Sequence, residues 1–374
     1  MFPVKSLTPL LFLLLGLALM SGAACIRAEV ASKELSSTAA PRVAVAPTPA
    51  AGESIRVAAG GDIMLGSTNP PDRGLPVNDG AEMLAGVTPL LSSADIAFAN
   101  LEGPMLEGGV STKCRPTSRS CFAFRVPPRY GKHLKDAGFD VMSLANNHAS
   151  DFGLEGRTST RRILDSLGIA HAGADFNDFA YLDVKGRKVA VIAFATNAIS
   201  YNVNDLDTAR KVVARLAAKN DIVIVSFHGG AEGAGAQHVP FGSETFLGEA
   251  RGNLREFTRA VVDAGADLVL GSGPHVVRGM EIYRNRLIAY SLGNFAFYRF
   301  PFIGPTSWSL VLETDLAPDG AFLGGRIHPL IQEGQNGPRP DKNRTVVGVV
   351  RQLSKEDFGP TAVRVGDDGS ISAP

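Results

Sequence analysis

The sequence predicts an α/β fold whose sheets are covered by helices on both faces. From Ser54 onward, apolar strand-like runs alternate with amphipathic helical patterns, and the runs are nearly continuous in hydrophobic residues. A sheet with one face in water alternates apolar and polar residues, so unbroken apolar strands imply cover on either side. The chain has 374 residues, 45% of them hydrophobic, enough to bury a core of that thickness.

The expected strands are "IRVAAGGDIML", "DIAFANLE", "DVMSLANN", "KVAVIAFA", "DIVIVSFHG", "DLVLGSG" and "LIAYSLGNF". Helical periodicity falls over 80–91, 130–137, 154–167, 207–218 and 254–264. After Phe297 the pattern turns to strands and loops, as in "WSLVLETDL" and "LGGRIHPLI". The charged Lys342 and Arg344 read there as solvated.

The opening segment has one early lysine, Lys5, then an apolar stretch from Leu10 to Met20 and small residues before Cys25. This is the pattern of a secretory signal, and it is short for a membrane span, which needs about 20 apolar residues. Residues 1–24 are therefore expected to be a signal peptide, 25–53 an Ala/Pro-rich linker, and 54–374 one domain with its motif core at 56–297 and a strand-rich part at 298–374. Such a protein is exported, to the periplasm or the cell surface. Cys25 is open to two readings, a lipid-carrying cysteine or an ordinary one, and lipid there would be the sole membrane contact expected.

Lysine plus arginine and aspartate plus glutamate each number 37, so no surface built for nucleic acid is expected. In an oxidising compartment Cys114 and Cys121, which bracket "RPTSRS", favour a local disulfide over two free thiols.

Several strands end in metal-binding or proton-transferring groups: Asp62 in "GGDIML", Asn100 and Glu102 in "ANLEGP", and Asn146, Asn147 and His148 in "LANNH". His228 and Glu232 follow in "SFHGGAE", His275 in "GSGPHV" and Asn294 in "YSLGNF". Ligands of open α/β sheets bind beyond the carboxyl ends of strands, so this repetition points to one shared site. Carboxylates mixed with imidazoles suit one or two divalent ions such as Mn, Fe or Zn better than a thiolate-seeking metal. His133, His171, His238 and His328 read as structural histidines.

The segments "GDIMLG", "ANLEGP", "FRVPP", "FDVMSLANNHASDFG", "SFHGGAE", "AGADLVLGSGPHVVRGMEIY" and "LIAYSLGNF", taken in order, resemble the CapA-like family of bacterial capsule synthesis associated with poly-γ-glutamate. The resemblance implies a metallophosphoesterase-like α/β/β/α sandwich, four layers around two mixed sheets. It assigns Asp62, Glu102, Asn147, His228 and His275 to metal binding and His148 to proton donation. Asp151 is read either as the group that orients His148 or as a cap on the next helix. Arg125, Arg278 and Asn294 are the candidate substrate contacts. Two positions depart from the standard phosphoesterase pattern: Met64 and Ser272 stand where imidazoles are usual.

The chemistry so implied is metal-dependent phosphoester hydrolysis. A second reading is an envelope protein that binds, anchors or helps export an anionic polymer alongside capsule-synthesis machinery without hydrolysis. A third is a secreted binding protein with a vestigial pocket. Serine hydrolase chemistry lacks a GxSxG elbow, and no GxGxxG supports dinucleotide binding.

Overall fold

The computed structural model describes residues 54–71, 73–114, 121–334 and 336–374. The expected signal segment, linker and Cys25 lie outside the described residues.

Strand Ile55–Met64 shows why two sheets stack. Its Ile55, Val57 and Ala59 enter one apolar cluster while Ala58 and Ile63 enter another on the opposite face. Arg187–Ala195 behaves the same way, with Val189, Val191 and Ala193 facing the first cluster and Ala190, Ile192 and Phe194 a third. Successive side chains of a strand alternate faces, so a strand apolar at every position must be buried on both sides.

The larger sheet runs Arg364–Val365, Ser370–Ser372, Phe322–Gln332, Trp308–Leu316, Ile55–Met64, Ile96–Leu101, Val141–Ser143, Ala170–Ala172. Asn294–Phe297 pairs parallel to the end of Ile55–Met64, and Pro338–Pro340 pairs with Phe322–Gln332. The smaller sheet runs Met280–Tyr283, Arg286–Ala289, Leu268–Ser272, Ile222–His228, Arg187–Ala195, Ala180–Val184, with Tyr201–Asn202 beside Arg187–Ala195. Both sheets mix parallel and antiparallel pairs.

The inter-sheet core is the cluster of Val57, Phe98, Val191, Ile224, Leu270 and Leu312. Beyond the larger sheet, Leu91, Leu134 and Leu164 of the helices Thr88–Leu91, Gly131–Asp136 and Gly153–Leu167 cover its outer face. Beyond the smaller one, Val213 and Phe257 of Leu206–Ala217 and Leu254–Asp263 do the same. The four layers are thus helix, sheet, sheet, helix. Asp205 and Asn253 cap the last two helices by accepting hydrogen bonds from the amides of Thr208 and Glu256.

Three elements differ from expectation. The helix expected over 80–91 is mostly turns, with only Thr88–Leu91 helical: the amides of Met83, Ala85 and Val87 bond the carbonyls three residues back, of Gly80, Glu82 and Leu84, and so close tight turns. A helix, Thr345–Phe358, lies in the tail read as strands and loops; its Val346, Val347 and Val350 mimic a strand by composition yet pack on the inter-sheet core. "LIAYSLGNF" is two strands in two sheets: Arg286–Ala289 pairs with Leu268–Ser272, and Asn294–Phe297 pairs with Ile55–Met64. The chain crosses between sheets at 290–293. The two backbones meet so closely there that a Cβ on Gly61 would lie 1.9 Å from the Gly293 carbonyl oxygen.

Candidate metal centre

Parallel pairing brings the functional strand ends to one edge. Ile55–Met64, Ile96–Leu101 and Val141–Ser143 run parallel, setting Asp62 opposite Asn100 and Asn100 opposite Ser143. In the other sheet, Ile222–His228 and Leu268–Ser272 run parallel with His228 opposite Ser272. Asp62, Glu102 and His275 converge so that one ligand atom from each lies within 4.8 Å of the others, all three buried.

Glu102 is the hub. Its Oε1 lies 3.6 Å from His275 Nε2, 3.9 Å from His228 Nε2 and 3.9 Å from His148 Nε2. Each Nδ1 is engaged by a side chain: His148 by Asp151 Oδ2 at 2.7 Å, His228 by Ser272 Oγ at 3.1 Å, and His275 by Asn294 Oδ1 at 2.9 Å. Such partners fix ring orientation, and the acceptor oxygens of Asp151 and Asn294 also hold a proton on Nδ1 of His148 and His275, leaving Nε2 of each ring to face Glu102. Asp62 completes the set, accepting from Asn100 Nδ2 at 2.8 Å and approaching His275 Nδ1 at 3.4 Å and His228 Nδ1 at 3.7 Å. His275 itself takes φ 58°, a conformation uncommon for histidine, which its bond to Asn294 helps hold.

Several of these buried atoms have no hydrogen-bond partner: both carboxylate oxygens of Glu102, Nε2 of His228 and Oδ1 of Asn147. Leaving polar atoms unpaired in a protein interior is costly, and a cation coordinated by them removes that cost. The donor chemistry, carboxylate and amide oxygens with imidazole nitrogens, fits a metal ion.

The electrostatics agree. Burial pushes the Glu102 carboxyl up to about 8, with the charges of Asp62 and Glu232 acting in the same direction against His275 and Arg251. Burial opposes ionisation of Asp62 too, but its contacts with His228 and His275 prevail and hold it well below the ordinary carboxylate range. For His275 burial is outweighed by Glu102 and Asp62, which raise it to about 10. Burial lowers His228 and His148; Asp62 and Asp151 respectively resist that shift. A carboxyl pushed up by burial and by neighbouring carboxylates is one that a metal ion in the site would hold ionised.

Asp151 takes the orienting position over the capping one. Besides His148, its Oδ2 accepts the Phe124 amide at 2.7 Å, while the helix Gly153–Leu167 begins at Phe152 without a side-chain cap. Asn147 lines the cleft beside His148, a cavity of about 330 Å³ shared with Lys113, Phe122, Glu232, Phe246 and Arg251.

Three expected substrate contacts are corrected. Arg278 is fully buried, its guanidinium clamped on both oxygens of Glu244 at 2.9 and 2.7 Å and on the Ala236 carbonyl at 2.7 Å. Arg125 bonds Thr68 Oγ1 and the Gly108 and Gly109 carbonyls and packs over Phe152. Asn294 is buried and positions His275. Met64 is packed among Phe124 and Phe297. Ser272 serves His228 instead of a metal.

Sequence reasoning missed Lys113, which reaches Asp151, Asn147 and His148, and gave no role to Glu232, whose Oε2 lies 3.9 Å from His275 Nε2 and whose Oε1 meets buried Arg251 at 3.0 Å. Glu232 was visible as a strand-end acid; Lys113, in a polar loop, carried no local signal. The other four histidines are partnered away from the centre, by Asp79, Asp178, Asp357 and Glu313.

Fold and centre together define an α/β/β/α sandwich with a buried carboxylate–imidazole group able to hold a metal. The sequence model of the family described as "Bacterial capsule synthesis protein PGA_cap" matches residues 56–299, and the chain belongs to that family. It is 29% identical over 295 residues to the capsule biosynthesis protein CapA of Bacillus anthracis, covering 72% of this chain and 66% of that one. It is 27% identical to the PGA biosynthesis protein CapA of Bacillus subtilis, covering 56% and 55%. It is 28% identical to a probable polyglutamine synthesis accessory protein of Mycobacterium tuberculosis, Rv0574c, covering 54% and 56%. The chain thus spans less than two thirds of the length of these relatives. Among solved structures, it is similar to the NAD nucleotidase of Haemophilus influenzae, with 11% identity and TM-score 0.38 over 80% of this chain and 56% of that one. It is likewise similar to the purple acid phosphatase PPD1 of yellow lupin, with 11% identity and TM-score 0.38 over 78% and 55%.

Proposed function

We propose that this chain is an exported protein of capsule or poly-γ-glutamate synthesis whose centre hydrolyses a phosphoester with a divalent ion. The observation that carries the reading is the ring of three imidazole Nε2 atoms, each within 3.9 Å of the unpartnered Glu102 Oε1, each ring held at Nδ1 by a side chain. Asp62, Glu102, Asn147, His228 and His275 would hold the ion. When bound, it supplies Lewis acidity and an activated water.

The remaining work falls to the chain's own groups. His148 gives its Nδ1 proton to the bond with Asp151, so its Nε2 faces the centre. Burial favours the neutral ring, leaving Nε2 a proton acceptor at rest. An anionic phosphoryl group in the cleft offsets that burial and favours the imidazolium, which then protonates the departing oxygen. The Phe124 ring, 4.5 Å from the imidazole, shields it from water.

The partners on this reading are an anionic polymer or phosphoester and envelope machinery, outside the cytoplasm. A non-hydrolytic role in holding such a polymer is the second reading, favoured by Met64 buried among phenylalanines and Ser272 turned onto His228, which leave the centre with fewer imidazoles. Metal analysis of untagged protein, joined to phosphodiester and polyglutamate turnover by wild type and His148→Ala, separates the two. Bound metal and turnover that disappears in His148→Ala support hydrolysis. Bound metal with no phosphoester turned over transfers support to the polymer-holding role.

A further inference from the structure

With Arg125 and Arg278 committed elsewhere, the cations lining the cleft among the described residues are Lys113 and Arg251, and Arg251 is buried and paired with Glu232 and Glu249, which leaves Lys113 as the one with exposure to the cleft. Its Nζ donates to Asp151 Oδ1 at 2.5 Å and to the Asn147 carbonyl at 2.9 Å, and stands 3.2 Å from His148 Nδ1. That nitrogen already holds its proton toward Asp151, so it is a neighbour of the ammonium rather than an acceptor. An ammonium has three N–H donors, and two are used. The side chain keeps 29% exposure and lines the same cleft as Asn147 and His148, which leaves the third donor for an anion entering there.

The position of Lys113 in the chain matters as much as its contacts. It immediately precedes Cys114, which is bonded to Cys121 with the two Cα atoms 5.5 Å apart. On the other side of that bond come Phe122, at the cleft, and Phe124, whose amide donates to Asp151 and whose ring packs on His148. The disulfide therefore ties together the two segments that grip the His148–Asp151 pair from either side. Lys113 itself sits in a loop with no strand or helix to hold it.

We propose that Lys113 is the substrate-anion contact and the positioning residue of the His148–Asp151 pair, and that the Cys114–Cys121 disulfide keeps it in place, so that function depends on that bond being oxidised. This rests on the hydrolase reading for its substrate class, a phosphoester anion, but not for the positioning role. A dithiol reductant undoes it: two electrons and two protons pass to the bond, Cys114 and Cys121 become thiols, and the reductant becomes a cyclic disulfide.

The test compares wild type, Lys113→Met, Lys113→Arg and the double variant Cys114→Ser/Cys121→Ser, each loaded with Mn. Lys113→Met is expected to raise KM for a phosphodiester about tenfold and lower kcat, with Mn affinity unchanged, and Lys113→Arg to recover much of the KM. The double serine variant, or dithiothreitol treatment of wild type, is expected to give a loss of similar size, and to add little to Lys113→Met because both remove the same interaction. Unchanged kinetics in Lys113→Met, or losses that simply add, overturn the proposal. Imidazole 15N–1H spectra of protein loaded with diamagnetic Zn in place of Mn, assigned with His148→Gln, need no substrate. Oxidised wild type is expected to show a hydrogen-bonded Nδ1 proton on His148 that weakens in Lys113→Met and in reduced protein. Persistence of that proton in both overturns the positioning role. Its loss in protein that turns over no phosphoester sinks the hydrolase reading and leaves the positioning role standing.

Discussion

Glu102 Oε1 lies 3.6 Å from His275 Nε2, in a protein interior where neither oxygen of that glutamate has a hydrogen-bond partner. Without a cation, burial pushes Glu102 up to about 8 and Glu102 with Asp62 raises His275 to about 10. Below about 8, therefore, the Glu102–His275 pair holds protons that an incoming ion must displace. Metal affinity is expected to rise as pH increases from 6 to 8, by about tenfold per pH unit for each proton displaced, with protons released on binding. Calorimetric titration of Mn or Zn in buffers of different ionisation enthalpy measures that release. Affinity flat across this range would contradict the assignment of Glu102.

Glu102→Gln keeps the shape and removes the charge. Metal binding should fall by about tenfold or more, while the metal-free protein gains about 1 kcal/mol of stability because a buried, unpaired acid is gone. Urea denaturation with and without chelator reads both effects. Lower stability of the metal-free variant would mean that Glu102 is held by contacts other than those described.

His148→Ala should lower phosphodiester kcat by about 10²–10⁴ with the metal content unchanged. Asp151→Asn leaves the ring but removes the acceptor that holds its Nδ1 proton, 2.7 Å away, and should cost about 10². Metal analysis beside steady-state kinetics checks both. Loss of metal from His148→Ala would turn that residue from proton donor into ligand.

Arg278→Met is expected to destabilise the fold by about 3–5 kcal/mol, since it leaves the buried Glu244 without its counter-ion and with the Ala231 amide as its remaining donor, and to leave KM unchanged in whatever protein remains folded. Pairing it with Glu244→Met should return most of that stability. Chemical denaturation of the single and double variants decides the matter, and a raised KM in the stable double variant would restore Arg278 as a substrate contact.

Gly61→Ala tests the crossing between sheets. Its Cβ would sit 1.9 Å from the Gly293 carbonyl oxygen, with no flexible side chain to yield, so a loss of about 3 kcal/mol is expected, with weaker metal binding because Asp62 and Asn294 flank the clash. A melting temperature equal to wild type would show that the backbones separate at little cost.

The alternation of strand and helix, the burial of strands on both faces and the supply of acids, amides and imidazoles at strand ends were all legible in the amino-acid order. Each depends on residues close together in the chain, as with the apolar run before Asn146 or the glycines around His228. The residues that surround the centre could be gathered in the same way, because parallel strands deliver their ends to one edge. What tertiary structure alone decided is which atom of each side chain faces which partner. Ser272 meets His228 across 44 residues and Lys113 meets Asp151 across 38, while Arg278 turns from the cleft to Glu244 across 34. Asn294 likewise became a support for His275 across 19 residues, and "LIAYSLGNF" became two strands once each half found its own sheet. Local periodicity encodes the face on which a residue lies; the direction of a polar group is set by the nearest complementary group in space, and that neighbour exists only after the chain has folded.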